Sequence, residues 1–288
     1  MAIKRDIPFI YDIEDYDPGI YVPEAGKHYK SCTEFLLKKC APSASALTSA
    51  SPLIGEYSLK LIGDHPNHQV ILNSFPSTEF SLANSHKPIA GSTGVLRLVW
   101  FSQTISFGRG LEQLFEALNQ LNELTTQQLI ITLIGNMDPE FEKQIVQTFQ
   151  SQISNLTSQI SLLIKPPLSQ PELHAELAHH DIGLALEPGK DLNNGLAISN
   201  KIIAYAQAGL CILATDTPAQ KQFMQEHPDL GTVCGQDKEG IVKGIAAMLE
   251  ATNKINTDKL DRFKKGKELA WEKESSKLVE IWKRVLIT

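Results

Sequence analysis

The 288-residue sequence predicts an α/β protein: a doubly wound parallel sheet preceded by a partial second α/β domain. Three observations carry this expectation. From Val95 onward, short apolar runs alternate with stretches of helical periodicity. The runs are mostly apolar or β-branched instead of strictly alternating with polar residues, as in strands buried on both faces. Before Val95 the same pattern occurs with fewer members.

In chain order, Val95–Phe101, Leu129–Gly135, Ile160–Lys165, Ile182–Leu186 and Cys211–Ala214 read as strands. Between them, Leu111–Leu121, Pro139–Gln150, Pro171–His179 and Asn200–Ala208 carry apolar residues at helical spacing. Strand, helix, strand at this rhythm implies right-handed crossovers and hence parallel pairing. Upstream, Pro8–Ile13, Ala46–Ser49 and Gln69–Leu72 read as strands, and Tyr29–Lys39 and Pro52–Ile62 as helices. Three strands with two helices make a thin sheet with edges to cover. Ser74–Gly94 is polar and turn-rich, as in a linker. Thr257–Leu286, with Trp271 and Trp282 among many Lys and Glu, reads as a charge-rich helix with one apolar stripe. The expected division is residues 1–90 (partial first domain and linker), 91–255 (complete Rossmann-like domain) and 256–288 (C-terminal helix).

Composition excludes several function classes. At 42% hydrophobic and 21% charged residues, the chain is an ordinary soluble globular type. A net charge of −6 argues against a sequence-independent grip on nucleic acid, which needs clustered Lys and Arg. Cys32, Cys40, Cys211 and Cys234 lack CxxC spacing and read as free thiols in a reducing compartment. No apolar run approaches the roughly 20 residues that span a bilayer. The N-terminal residues show no signal-peptide core, so a cytoplasmic location is expected, with the inner face of the cell membrane as the alternative.

In an open parallel sheet, ligands bind beyond the carboxyl ends of the strands. The first loop there, Phe101–Leu111, offers Ser102 and Gln103 as polar contacts, Gly108 and Gly110 for tight backbone, and Arg109 for forked hydrogen bonding to phosphate. It is neither GxGxxG nor a P-loop, and a plain loop with a surface Arg explains it equally well. In Leu192–Tyr205, Ser199 or Asn200 reads as the N-cap of a helix ending at Gly209. Its free N–H groups, with Lys201 beside them, could hold an anion; a capped helix packed on the sheet is the plainer account. Gly135, after the second strand of this region, would admit close approach of a ligand or of backbone. His174, His179 and His180 share no helix face, so helix-end and surface roles are expected for them, with no metal. No Ser or Cys stands in a nucleophile-elbow context. Asp12, Glu14, Asp15 and Asp17 cluster after the first strand and could serve acid–base chemistry, bind sugar hydroxyls or hold a cation; a solvated acidic turn is the equally plain alternative.

Together these segments resemble bacterial glycosyltransferase family four, of GT-B architecture. Val99–Glu112 resembles the first loop of that family's donor domain, where a basic residue, Gly and Leu close the loop, here Arg109, Gly110 and Leu111. Leu133-Ile-Gly135 is similar to its second strand, Ser199–Asp216 to its Asn-Lys helix and following strand, and Leu269–Glu274 to its closing helix. Tyr11–Gly19, Ser49–Leu53 and Val70–Pro76 resemble later parts of its acceptor domain, so the resemblance covers nearly the whole chain.

The resemblance implies a retaining glycosyltransferase of hexosyltransferase type, acting in polysaccharide biosynthesis. It would use a UDP- or GDP-sugar donor, a glycan acceptor, no cofactor and no metal. Ser102, Gln103, Arg109, Gly110, Gly135, Ser199, Asn200 and Lys201 would bind the nucleotide sugar, and Glu14 and Asp15 would be the catalytic pair. Several departures accompany it. Thr104 stands where the family often has Arg, and Glu14 where His is common. The family's glutamate pair falls on Leu196 and Ala204. The second glutamate would hold the ribose hydroxyls, and Asn200 or Lys201 is the expected substitute. The family's first acceptor-domain strands have no counterpart here, so a truncated member is expected, with a partner chain supplying those strands. Peripheral membrane association, an inactive nucleotide-binding or interaction protein, and a sugar-nucleotide epimerase stay open as alternatives.

Overall fold

In this computed structural model, residues 7–24, 26–82, 94–154 and 159–287 are described. The first part runs β1 (Ile10–Ile13), α1 (Gly26–Cys40), β2 (Ala46–Ser49), α2 (Pro52–Ile62), β3 (His68–Val70). The second continues β4 (Val95–Ile105), α3 (Leu111–Leu124), β5 (Gln128–Met137), α4 (Pro139–Phe141), a π segment (Glu142–Val146), α5 (Gln147–Ser154), β6 (Ile160–Lys165) and α6 (Gln170–Leu177). Then come β7 (Ile182–Ala185), α7 (Leu192–Leu196), α8 (Asn200–Gln207), β8 (Cys211–Thr215), α9 (Pro218–Glu226), β9 (Gly231–Cys234) and α10 (Lys238–Glu250). The chain closes with α11 (Thr252–Thr257), α12 (Lys259–Gly266) and α13 (Trp271–Ile287).

Two sheets result, both wholly parallel: β1-β2-β3 and β6-β5-β4-β7-β8-β9. The larger sheet starts at β4, adds β5 and β6 on one side, then crosses to add β7, β8 and β9 on the other. The topological switch point therefore lies between β4 and β7, where open α/β sheets form their ligand crevice. Alternate residues of β4 serve opposite faces: Leu96, Leu98 and Trp100 enter the core with α3 and α10, and Val99 the core with α8.

α8 is buried along Lys201–Gln207. It can lie this close to the sheet because Gly183 has no side chain. A Cβ there would stand 2.2 Å from the Tyr205 ring. The Tyr205 hydroxyl lies 3.2 Å from the Val99 carbonyl and 3.3 Å from that of Leu184, so it has an acceptor despite full burial.

The smaller sheet is closed on one face by α13, whose Ile281 and Val285 pack with Ala46 and Ile10. Leu196, carried by the second part of the chain, enters the core of the first part beside Leu47 and Ile54. The Ser51 hydroxyl donates to the Leu196 carbonyl at 2.6 Å and also caps α2. Of the expected linker, Phe75 and Phe80 anchor to the core around α8 and Ser77–Glu79 forms a single 3-10 turn. Residues 83–93 of it lie outside the described residues.

Three elements differ from the sequence expectation. β4 runs four residues beyond Phe101, with a register shift between Phe101 and Thr104, so Ser102 and Gln103 stand on a bulged strand end instead of a loop. Short β9 and the helices flanking it, α9 and α10, were not assigned from sequence. The final charge-rich stretch is two helices joined by a 3-10 turn, not one helix. No helix among the described residues is long and apolar enough to cross a membrane.

Candidate functional site

A cavity of about 540 Å³ opens beyond the carboxyl ends of β4, β5, β6 and β7. One end is apolar and aromatic, built by Phe75, Phe101, Ile134, Leu168 and His174. The other is polar, built by Ser102, Gln103, Arg109, Glu187, Asn194 and Ser199 through Lys201. Of the residues expected to bind a nucleotide sugar, Ser102, Gln103, Arg109, Ser199, Asn200 and Lys201 therefore share one cavity.

Gly110 and Gly135 do not line it, and both answer to backbone packing. Gly110 has φ +76°, and a Cβ there would lie 2.1 Å from the Leu186 carbonyl oxygen. Gly135 has φ +154°, with the Ser102 carbonyl oxygen 2.5 Å from where its Cβ would be. Gly110 lets the start of α3 pass the residue after β7, and Gly135 lets β5 approach the bulged end of β4, so the effect of either on a ligand is indirect.

Glu14 and Asp15 also stand apart from the main cavity. They are exposed and line a separate hollow of about 270 Å³ with Tyr11, Asp12 and Asp17. The Glu14 carboxylate accepts from Asn73 Nδ2 at 3.2 Å and that of Asp15 from Asn193 Nδ2 at 2.8 Å. Because Asn193 Oδ1 accepts from the Tyr16 N–H at 2.7 Å, this amide clamps the acidic turn to α7.

The polar end is organised by Glu187, which sequence reading missed. It directly follows the apolar run of β7, and the chain turns at Pro188-Gly189. Glu187 Oε1 accepts from Lys201 Nζ at 2.5 Å and from Ser199 Oγ at 2.9 Å. Lys201 Nζ also lies 5.4 Å from the centre of the buried Trp100 ring, a cation–π arrangement. Burial pushes the Glu187 carboxyl upward, but the Lys201 ammonium, the bonds from Lys201 and Ser199 and the charge of Arg109 outweigh it. The net shift is below the ordinary value. The Lys201 charge is thus already matched within the protein, whereas Arg109 lines the cavity with no ion pair among the described residues. Ser199 caps α8, its hydroxyl oxygen 3.3 Å from the Lys201 N–H, while the same hydroxyl donates to Glu187. Asn194 Oδ1, buried in the wall, has no hydrogen-bond partner among the described residues and is an acceptor suited to a ligand hydroxyl.

His174 corrects another expectation. Instead of a surface role it is 1% exposed, stacked on Phe80 (centroids 4.2 Å, 21°) and edge-on to Phe75 at 4.6 Å. Its Nδ1 lies 2.7 Å from Glu79 Oε2, and Gln170 Nε2 donates to the same carboxylate at 2.9 Å. Burial lowers the His174 pKa and the Glu79 carboxylate offsets this only in part. A flat, mostly neutral wall at the apolar end is the outcome. Among the described residues, no cluster of three or more His, Cys, Asp or Glu could hold a metal.

No protein-family model and no curated protein matches the chain. Solved structures do. HepE from Anabaena, in complex with UDP, superposes with a TM-score of 0.70 at 18% identity, covering 98% of this chain and 74% of that one. The same protein has been solved with UDP-glucose. Sucrose-phosphate synthase from Thermosynechococcus elongatus gives 0.67 at 13% identity, covering 92% and 64%. A glycosyltransferase from Rickettsia africae gives 0.65 at 15% identity, covering 99% and 78%. The fold is GT-B. The cavity stands at the switch point of the larger sheet.

Proposed function

We propose that the chain is a sugar-nucleotide-dependent glycosyltransferase of the family-four type, with the 540 Å³ cavity as its donor site. One observation carries the reading: a single cavity joins an aromatic, uncharged end to a polar end bearing Arg109 and the start of α8. That polarity suits a nucleoside diphosphate sugar, whose base is flat and whose diphosphate is anionic. The Arg109 guanidinium and the N–H groups at the start of α8 would take the diphosphate. As the glycosidic bond breaks, charge gathers on the leaving diphosphate, and fixed donors stabilise it without reorganising. Asn194 Oδ1 offers an acceptor for a sugar hydroxyl. The ligands of HepE, UDP and UDP-glucose, favour UDP over GDP as the first nucleotide to try. Retention at the anomeric carbon and a glycan acceptor belong to the same proposal.

Calorimetric titration of the whole chain with UDP and with GDP tests the donor site; saturable binding of at least one is expected, and failure of both sinks the reading. A second reading, nucleotide binding without turnover, is favoured by the Glu187–Lys201 pair, which removes a cation from the phosphate end. Release of free glucose or transfer product from UDP-glucose separates the two.

A further inference from the structure

A second cavity, about 670 Å³, lies on the side of the large sheet where β8 and β9 begin. Cys211 and Gly231 lie at its floor, and Met248, Ala251 and Ile255 supply apolar wall. The rim charges are matched among themselves: Lys254 pairs with Asp258, Lys265 with Asp229, and Lys264 with Asp261 at 2.9 Å.

Arg262 is the exception. It is only 4% exposed, yet among the described residues no carboxylate forms an ion pair with it. Its Nε donates to the Gly209 carbonyl at 3.1 Å and its Nη2 to that of Ile255 at 2.5 Å. A guanidinium carries five N–H donors, so these two bonds leave others unused, Nη1 among them. The carboxylates of Asp258 and Asp181 act on it only from beyond ion-pair distance. A buried guanidinium with no contacting carboxylate is costly, and the cavity it lines is large enough to admit an anion.

We propose that this cavity is a second ligand site, taking a small amphiphilic anion whose oxyanion head pairs with Arg262 and whose apolar body lies along Met248, Ala251 and Ile255. It is separate from the donor cavity and does not depend on the donor reading. The two are joined by α8, whose first turn lines one and whose terminal Gly209 carbonyl is held by Arg262 at the other.

Octanoate is a suitable probe, titrated into the full chain by calorimetry, with 1-octanol as its uncharged counterpart. Ala247→Trp, on an exposed position of α10 that lines the cavity, adds bulk to its wall. One saturable octanoate site is expected, weakened at least about tenfold by Ala247→Trp and at least about tenfold tighter than 1-octanol. Bound octanoate should also slow alkylation of Cys211. A triple Lys254→Gln, Lys264→Gln, Lys265→Gln variant should bind octanoate as the parent does. The proposal fails if no saturable binding is seen, if Ala247→Trp binds equally well, if 1-octanol matches octanoate, if Cys211 alkylation is unaffected, or if the lysine variant loses binding.

Discussion

Lys201 Nζ and Glu187 Oε1 lie 2.5 Å apart at the polar end of the cavity, with their side chains 11% and 15% exposed. Breaking such a pair leaves an unmatched charge largely out of water. Glu187→Gln should cost about 2–3 kcal/mol of unfolding free energy, read from urea denaturation. The same change frees the Lys201 ammonium, so UDP affinity should rise, roughly three- to tenfold. A variant that loses stability but binds UDP no better would show that Lys201 cannot turn toward a phosphate.

Arg109 carries no competing ion pair in the described structure. Arg109→Ala should weaken UDP binding by about 1.5–3 kcal/mol, the range for a charge-assisted bond. Uridine, lacking the diphosphate, should bind both forms alike. Calorimetry showing equal loss for the two ligands would place Arg109 away from the phosphates.

Acid should destabilise the protein in two stages. His180 is buried, with Nδ1 3.1 Å from the Glu176 carbonyl and Nε2 3.0 Å from the Thr132 hydroxyl. The carbonyl can only accept, so Nδ1 holds the proton and Nε2 accepts from Thr132. Burial pulls its pKa down to about 4. The unfolded chain therefore binds the extra proton first, and stability falls as pH drops from about 6.5 to 4, by roughly 3 kcal/mol. The depressed Glu187 carboxyl adds a loss that begins below its unfolded value near 4.5. Denaturation midpoints measured from pH 7 to 4 should show the first stage, and His180→Gln should remove most of it.

The two glycines of the Arg109 loop should behave differently. Both have positive φ, +70° at Gly108 and +76° at Gly110, but only Gly110 faces an obstacle. Gly108→Ala should cost about 1–2 kcal/mol from backbone strain alone. Gly110→Ala must also displace the Leu186 carbonyl, and should cost clearly more, with urea midpoints as the measurement. Equal losses would mean that the Gly110–Leu186 contact relaxes freely.

The larger sheet was legible because parallel strands covered on both faces are largely apolar, and the runs from Val95 to Ala214 are so apart from Arg97, Thr132, Ser161 and Lys165. Gly231–Cys234 escaped because four residues opening on a glycine carry too little pattern to be read as a strand. Arg109 and the Ser199 cap were visible as chemistry next to a strand end. Glu187 was not, since its partner lies 14 residues on and only the fold turns them together. His174 was judged by its spacing from other histidines, whereas Phe75 and Phe80, from a distant segment, decide its surroundings. The strand extension at Ser102 and Gln103 was hidden by a bulge, which breaks the period a sequence reader follows.

The burial of α8 from Lys201 to Gln207 has a consequence for hydrogen exchange around the main cavity. Its amides have no route to solvent short of large-scale opening, so they should be among the slowest to exchange hydrogen for deuterium. Phe107, in the loop before Arg109, lies exposed and should exchange much earlier. A ligand that engages both elements would slow exchange in the Arg109 loop while leaving α8 unchanged.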